Sequence, residues 1–154
     1  MNAWVQAQSR GETPTTRLRC AISEYRAANE LYVPYFLALL AAIQLRYGEF
    51  AEGLDTVVSA LGLTGGIGSR LIDPELLRLK GELLIACDPG AKADAEVAFC
   101  NAIDIAQRQS SKSWELRAAM SLARLWRDQG KVQQAHELLA RFTGGSLRGS
   151  IRAI

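Results

Sequence analysis

Four features of this sequence carry groups that a catalytic or binding site could use. TGGIGS, residues 64 to 69, has the glycines of a phosphate-binding loop. The nucleotide pattern GxxxxGK[ST] needs a lysine after its second glycine to reach the phosphates, and the dinucleotide fingerprint needs a strand in front. No lysine follows here and a helical pattern precedes, so the stretch reads as a flexible connector. His136, the single histidine, sits on the flank of a helical pattern beside Ala135. It has no cysteine or paired acid at metal-ligand spacing and no nucleophile to serve, so it reads as a solvated surface residue. Cys20, Cys87 and Cys100 are odd in number, lack CxxC spacing and lie among apolar helical neighbours. That pattern argues against a zinc site or a disulfide framework and fits a reducing, cytoplasmic compartment. Arg108, Lys112, Arg117, Arg124 and Arg127 form a basic run, but Glu115 and Asp128 interrupt it and the net charge is only +2. An ordinary solvated face fits better than a nucleic-acid stripe. Trp114 and Trp126 read as packing residues. No catalytic residue, metal site or cofactor site emerges, and the chain reads as a protein that is not an enzyme.

The elements that would position these residues are helices. The chain has 154 residues, 49% hydrophobic and 22% charged, the composition of a soluble globular domain. The greasy run VPYFLALLAAI, residues 33 to 43, is half the ~20 residues a membrane span needs and reads as a buried helix. MNAWVQAQSRG at the start has no basic region followed by an apolar stretch, so no signal peptide is expected. No segment alternates with period two for long, whereas helical periodicity recurs throughout. The first helix is expected near 14 to 29, with Pro14 in its first turn and Leu18, Ile22, Tyr25 and Ala28 on one face. Others are expected near 34 to 47, 50 to 61 (with Leu54, Val57, Val58 and Leu61 on one side) and 73 to 87, the last begun by Asp73-Pro74-Glu75. Three more follow near 91 to 109, from Ser113 as N-cap to 129, and 131 to 142, where Val132, Ala135, Leu139 and Phe142 are the expected buried face. Helix 113 to 129 is apolar nearly all round, leaving only the strip Arg117, Ser121, Arg124 and Asp128.

The connections at Gly48-Glu49, Asp88 to Gly90 and Gly130 are too short for anything but hairpins. The exception is the glycine-rich stretch 62 to 73, read as mobile. A repeat of about forty residues follows. Ala41, Gly81 and Ser121 place a small residue midway along the first helix of each hairpin. Gly48, Gly90 and Gly130 mark the turns. Gly53, Ala95 and Ala135 come next, then Val57, Phe99 and Leu139, then Ala60, Ala102 and Phe142. Ala21, Tyr25 and Ala28 show the same spacing ahead of them. A glycine inside a helix costs about 1 kcal/mol against alanine, so Gly81 implies a close crossing by another helix. One hairpin cannot bury its own apolar surface, but a stack can.

This succession of small residue, turn glycine, small residue and large apolar residue resembles the tetratricopeptide repeat, whose usual period is ~34 residues. YRAANELYVPYFLALLA, ELLRLKGELLIA and the stretch from AEVAFCNAIDIAQ to KVQQAHELL resemble the C-terminal helical repeats of bacterial adenylate cyclase-like or LuxR-type predicted-ATPase regulators. The resemblance covers about residues 14 to 142, and none of that family's cyclase or ATPase motifs is present. It implies an all-α fold: antiparallel helix-hairpin repeats stacked as a short right-handed solenoid. Residues 1 to 142 would form one domain, with hairpins near 33–61, 74–109 and 113–142 after a partial repeat 1–29. RFTGGSLRGSIRAI reads as a basic, glycine-rich coil, so 143 to 154 would be a flexible tail, as in a truncated or frame-shifted reading frame.

In that family the first helix of each hairpin lines the concave face. Carried over by spacing, the polar members Tyr35, Glu75, Arg78, Glu82 and Glu115 are the candidate contacts for a peptide. The expected function is a non-catalytic protein-interaction module, a fragment or C-terminal part of a bacterial signalling or transcription regulator. Its partner would be a protein or peptide, and the last hairpin, lacking a polar cap, would be free to form a homodimer. The alternatives are a small-molecule sensor that holds a ligand between hairpins and, behind it, an accessory nucleic-acid binder.

Overall fold

The computed structural model describes residues 13–26, 32–64 and 69–147. Seven α-helices and one 3₁₀ turn make up these residues, with no strand among them. The chain divides between Ile72 and Asp73 into two compact units.

The first unit holds α1 (Pro14–Arg26), α2 (Val33–Tyr47), α3 (Phe50–Leu63) and the 3₁₀ turn Ser69–Ile72. Helix α2 is its centre and touches α1, α3 and the 3₁₀ turn. Ile22, Val33 and Leu40 form a core bordered by Leu18, Tyr25, Phe36, Leu37 and Leu63. Leu18, Ile22 and Tyr25 carry the packing of α1 as expected, whereas Ala21, matched to the small repeat position, is exposed. Ala28 lies outside the described residues. Helix α3 runs two residues past its expected end, and Val58 points outward rather than into the core.

The second unit holds α4 (Asp73–Cys87), α5 (Lys92–Arg108), α6 (Lys112–Asp128) and α7 (Val132–Leu147). Consecutive helices touch in order, and α4 also touches α6, so the first helices of the two hairpins lie side by side. Ala95, Phe99, Ala102, Ile103, Ala118, Ala119, Leu122 and Leu125 form the core, with Trp126, Leu138, Leu139 and Phe142 packed on it. Helix α7 continues five residues beyond 142, through Gly144 and Gly145, where a coil was expected; residues 148 to 154 lie outside the described residues. Val132, expected in the core, is exposed. Helix α6 starts at Lys112, so Ser113 lies inside it rather than capping it.

The small repeat positions are where the packing needs them. Ala41, Gly81 and Ser121 are all buried, as are Gly53, Ala95 and Ala135. Ser121 is thus the covered member of the polar strip assigned to its helix, and Arg124 donates to its hydroxyl at 3.1 Å. The turns are less uniform than their glycines suggest. Gly48 and Gly130 adopt left-handed backbone at φ +80° and +79°, and the next amide in each case reaches back five residues, Glu49 to Gln44 and Lys131 to Trp126. The same closure joins α5 to α6 at Ser110, φ 56°, with Ser111 donating to the Ala106 carbonyl. Gly90 is not left-handed. It closes an Asx turn by donating its N–H to Asp88 Oδ1 at 2.7 Å.

Candidate functional site

Three of the five candidate residues come together on α4. Glu75, Arg78 and Glu82 stand at i, i+3 and i+7, on one face of the helix. Opposite them on α6 stand Arg117, Ser121 and Arg124, again spanning seven residues. The Glu75 carboxylate accepts two guanidinium forks: Arg78 Nε and Nη2 at 2.9 and 2.8 Å, and Arg117 Nε and Nη2 at 3.2 and 2.7 Å. Glu82 Oε1 accepts from Ser121 Oγ at 2.7 Å, Arg124 Nη2 at 3.0 Å and Arg78 Nη1 at 3.3 Å. Arg117 also lies over the Trp114 ring, 5.5 Å from its centroid.

This ladder clamps α4 to α6. Glu75 is 7% exposed, and the Arg78 side chain is nearly as hidden. Burial works to lower the Arg78 pKa, but the Glu75 hydrogen bonds and the charges of Glu75 and Glu82 outweigh it, and the net shift is upward. Glu75 and Arg78 are thus spent on each other and on Arg117, and neither is free to grip a peptide. Arg117 and Arg124, read from sequence as a solvated basic face, are the partners that reading missed. Their signal was present: Glu75 to Arg117 and Glu82 to Arg124 are both 42 residues apart, two off the spacing of the small residues.

Glu115, one repeat beyond Glu75, is also internal. It accepts from Lys112 Nζ at 2.8 Å and from Gln107 Nε2 at 2.9 Å, bracing the start of α6 against the end of α5. The Lys112 hydrogen bond holds its pKa below the usual carboxylate value, helped by Gln107 and opposed by burial. Trp126 does pack on the core and donates its indole N–H to Glu96 at 2.8 Å.

Tyr35 is the one candidate left open, 47% exposed, on α2 of the first unit. Its ring meets Phe36 edge to face at 5.8 Å, and Phe36 meets Tyr25 of α1 likewise at 5.1 Å. Tyr32 and Leu39 continue the stripe at helical spacing, 54% and 43% exposed. No protein-family model, curated protein or solved structure matches the chain.

The other reactive side chains have ordinary settings. His136 is exposed on α7, and Cys20, Cys87 and Cys100 are exposed free thiols. Burial, then the charges of Glu96 and Asp104, push the Cys100 thiol up, which disfavours the thiolate a nucleophile needs. Within 64 to 69, Thr64 is buried and its hydroxyl donates to the Leu61 carbonyl; residues 65 to 68 lie outside the described residues. Among the described residues, no helix is long and apolar enough to cross a membrane.

Proposed function

We propose that this chain is a non-catalytic protein-interaction module built from tetratricopeptide-like hairpins, working within a bacterial signalling or transcription regulator. The observation that carries the reading is the outward stripe of Tyr32, at the N-cap of α2, with Tyr35 and Leu39 on the helix itself. At the corresponding repeat positions of the second unit, Glu75 and Leu79 are buried. Tyrosine supplies a large contact area at low entropic cost, so an exposed tyrosine stripe suits protein recognition. The stacked hairpins of the second unit support the same reading, since their helices, of nearly equal length, offer side-by-side faces.

Affinity capture from the source cell with the full chain and with Tyr35→Ala/Leu39→Ala tests it. Both positions are exposed, so the melting temperature should change little. A specific protein retained by the parent chain and lost from the variant is the expected result. Identical capture by the two would sink the reading.

A further inference from the structure

The first unit has a groove of about 550 Å³ between α1 and α3, floored by α2 through Leu37 and Leu40. Arg19 and Arg26 of α1 line one wall; Glu52 and Asp55 of α3, with Thr56 and Ser59, line the other. Seven residues separate the two arginines, so they stand about 10 Å apart along the helix. The two walls carry opposite charge, yet none of these four charged side chains forms an ion pair with another described residue.

The second unit has a groove in the same place relative to its helices, between α5 and α7 over Leu122 and Trp126 of α6. There the charges are answered from within: Lys131, just ahead of α7, reaches Glu96 of α5 at 3.5 Å, and the Trp126 indole donates to the same carboxylate. The first groove has neither the cross-wall pair nor the large aromatic floor. Its shape, apolar below and oppositely charged on its two sides, matches one type of occupant.

We infer that the α1–α3 groove binds an amphipathic helix of a partner protein, apolar toward Leu37 and Leu40, acidic toward Arg19 and Arg26, and basic toward Glu52 and Asp55. The inference rests on the interaction-module reading and gives its partner a chemistry. A helix laid in such a groove would bury its apolar face and complete the charge pairs on both flanks. The charge pattern also excludes uniformly acidic or basic helices, because one wall would then face like charge.

Three synthetic helical peptides sharing one apolar face test this with the full chain by fluorescence anisotropy at low salt. One has an acidic and a basic flank, one two acidic flanks, one two basic flanks. The mixed peptide should bind about tenfold more tightly than either of the others, the worth of a few exposed charge pairs. Arg19→Glu/Arg26→Glu makes both walls acidic and should transfer the preference to the basic peptide. Glu52→Lys/Asp55→Lys makes both walls basic and should transfer it to the acidic one. Equal binding of all three peptides, no binding, or an unchanged preference in both variants would overturn the inference. So would a melting temperature raised by a free amino acid but not by any peptide, which would assign the groove to a small zwitterion. Partner capture that depends on Tyr35 and Leu39 while the peptides fail would leave the interaction module standing and move its site off this groove.

Discussion

The ring of Phe99 on α5 occupies the space that a side chain at position 81 of α4 would need. A β-carbon built on Gly81 would overlap Phe99 Cε1 and stand only 2.7 Å from Cζ and 2.8 Å from Cδ1. Phe99 is 1% exposed, so its ring has no open space to enter. The glycine that weakens α4 by propensity is what lets the two helices close.

Gly81→Ala should therefore destabilise the protein by about 1–2 kcal/mol: overpacking costs about 1–3 kcal/mol, and the gain in helix propensity returns up to about 1. Adding Phe99→Leu should recover part of the loss. Urea denaturation of the single and double variants measures both, and a stabilised single variant would refute the close crossing.

Gln44 predicts the opposite sign. Its side chain is fully buried on α2, and among the described residues neither its amide oxygen nor its amide nitrogen has a hydrogen-bond partner. Burying an amide without partners costs about 1–3 kcal/mol. Gln44→Leu, of similar volume, should raise stability by about 1 kcal/mol in thermal or urea unfolding.

The ladder between α4 and α6 predicts unequal partners. The Arg78 side chain is only 11% exposed beside Glu75, whereas the Arg117 side chain is 54% exposed. Glu75→Ala strands Arg78 and should cost about 2 kcal/mol, toward the lower side of a broken buried pair because Glu82 still holds it. Arg117→Ala should cost less than about 1 kcal/mol, as exposed ion pairs do. A double-mutant cycle over Glu75 with Arg78 and with Arg117 separates the two couplings.

Glu115 sets a pH dependence. Its folded pKa lies below the unfolded value, so its contribution is fully present above the ordinary carboxylate pKa of about 4.3 and is lost as the pH falls through the lowered folded value. Melting temperatures from neutral to acidic pH should show the parent chain losing its advantage over Glu115→Gln in that acid range. A gap that stays constant to low pH would contradict the Lys112 and Gln107 contacts.

The helices were legible because their causes are local. Apolar spacing, Pro14, Pro34 and Pro74 near helix starts, and left-handed glycines at 48 and 130 act within a few residues of themselves. The depth of Ala41, Gly81 and Ser121 was legible too, since a small residue inside a greasy helix is costly unless something crosses there. The candidate site was much less so. Spacing placed Glu75, Arg78 and Glu82 on one face but did not reveal that Arg117, Ser121 and Arg124 would cover it. Ser110 took a left-handed turn without glycine, because Ser111 and Ala106 close the hairpin around it.

Periodicity and turn chemistry are properties of short segments, so the helices, the hairpins and the close crossing at Gly81 could be read from residue order. Which polar side chains remain available depends on packing between distant segments. Glu75 and Glu115 are internal braces while Tyr35 stays open, and that difference arises from the neighbours that fold against each one. A charge near the surface becomes structural or functional according to whether a distant residue reaches it, and the local pattern does not carry that information.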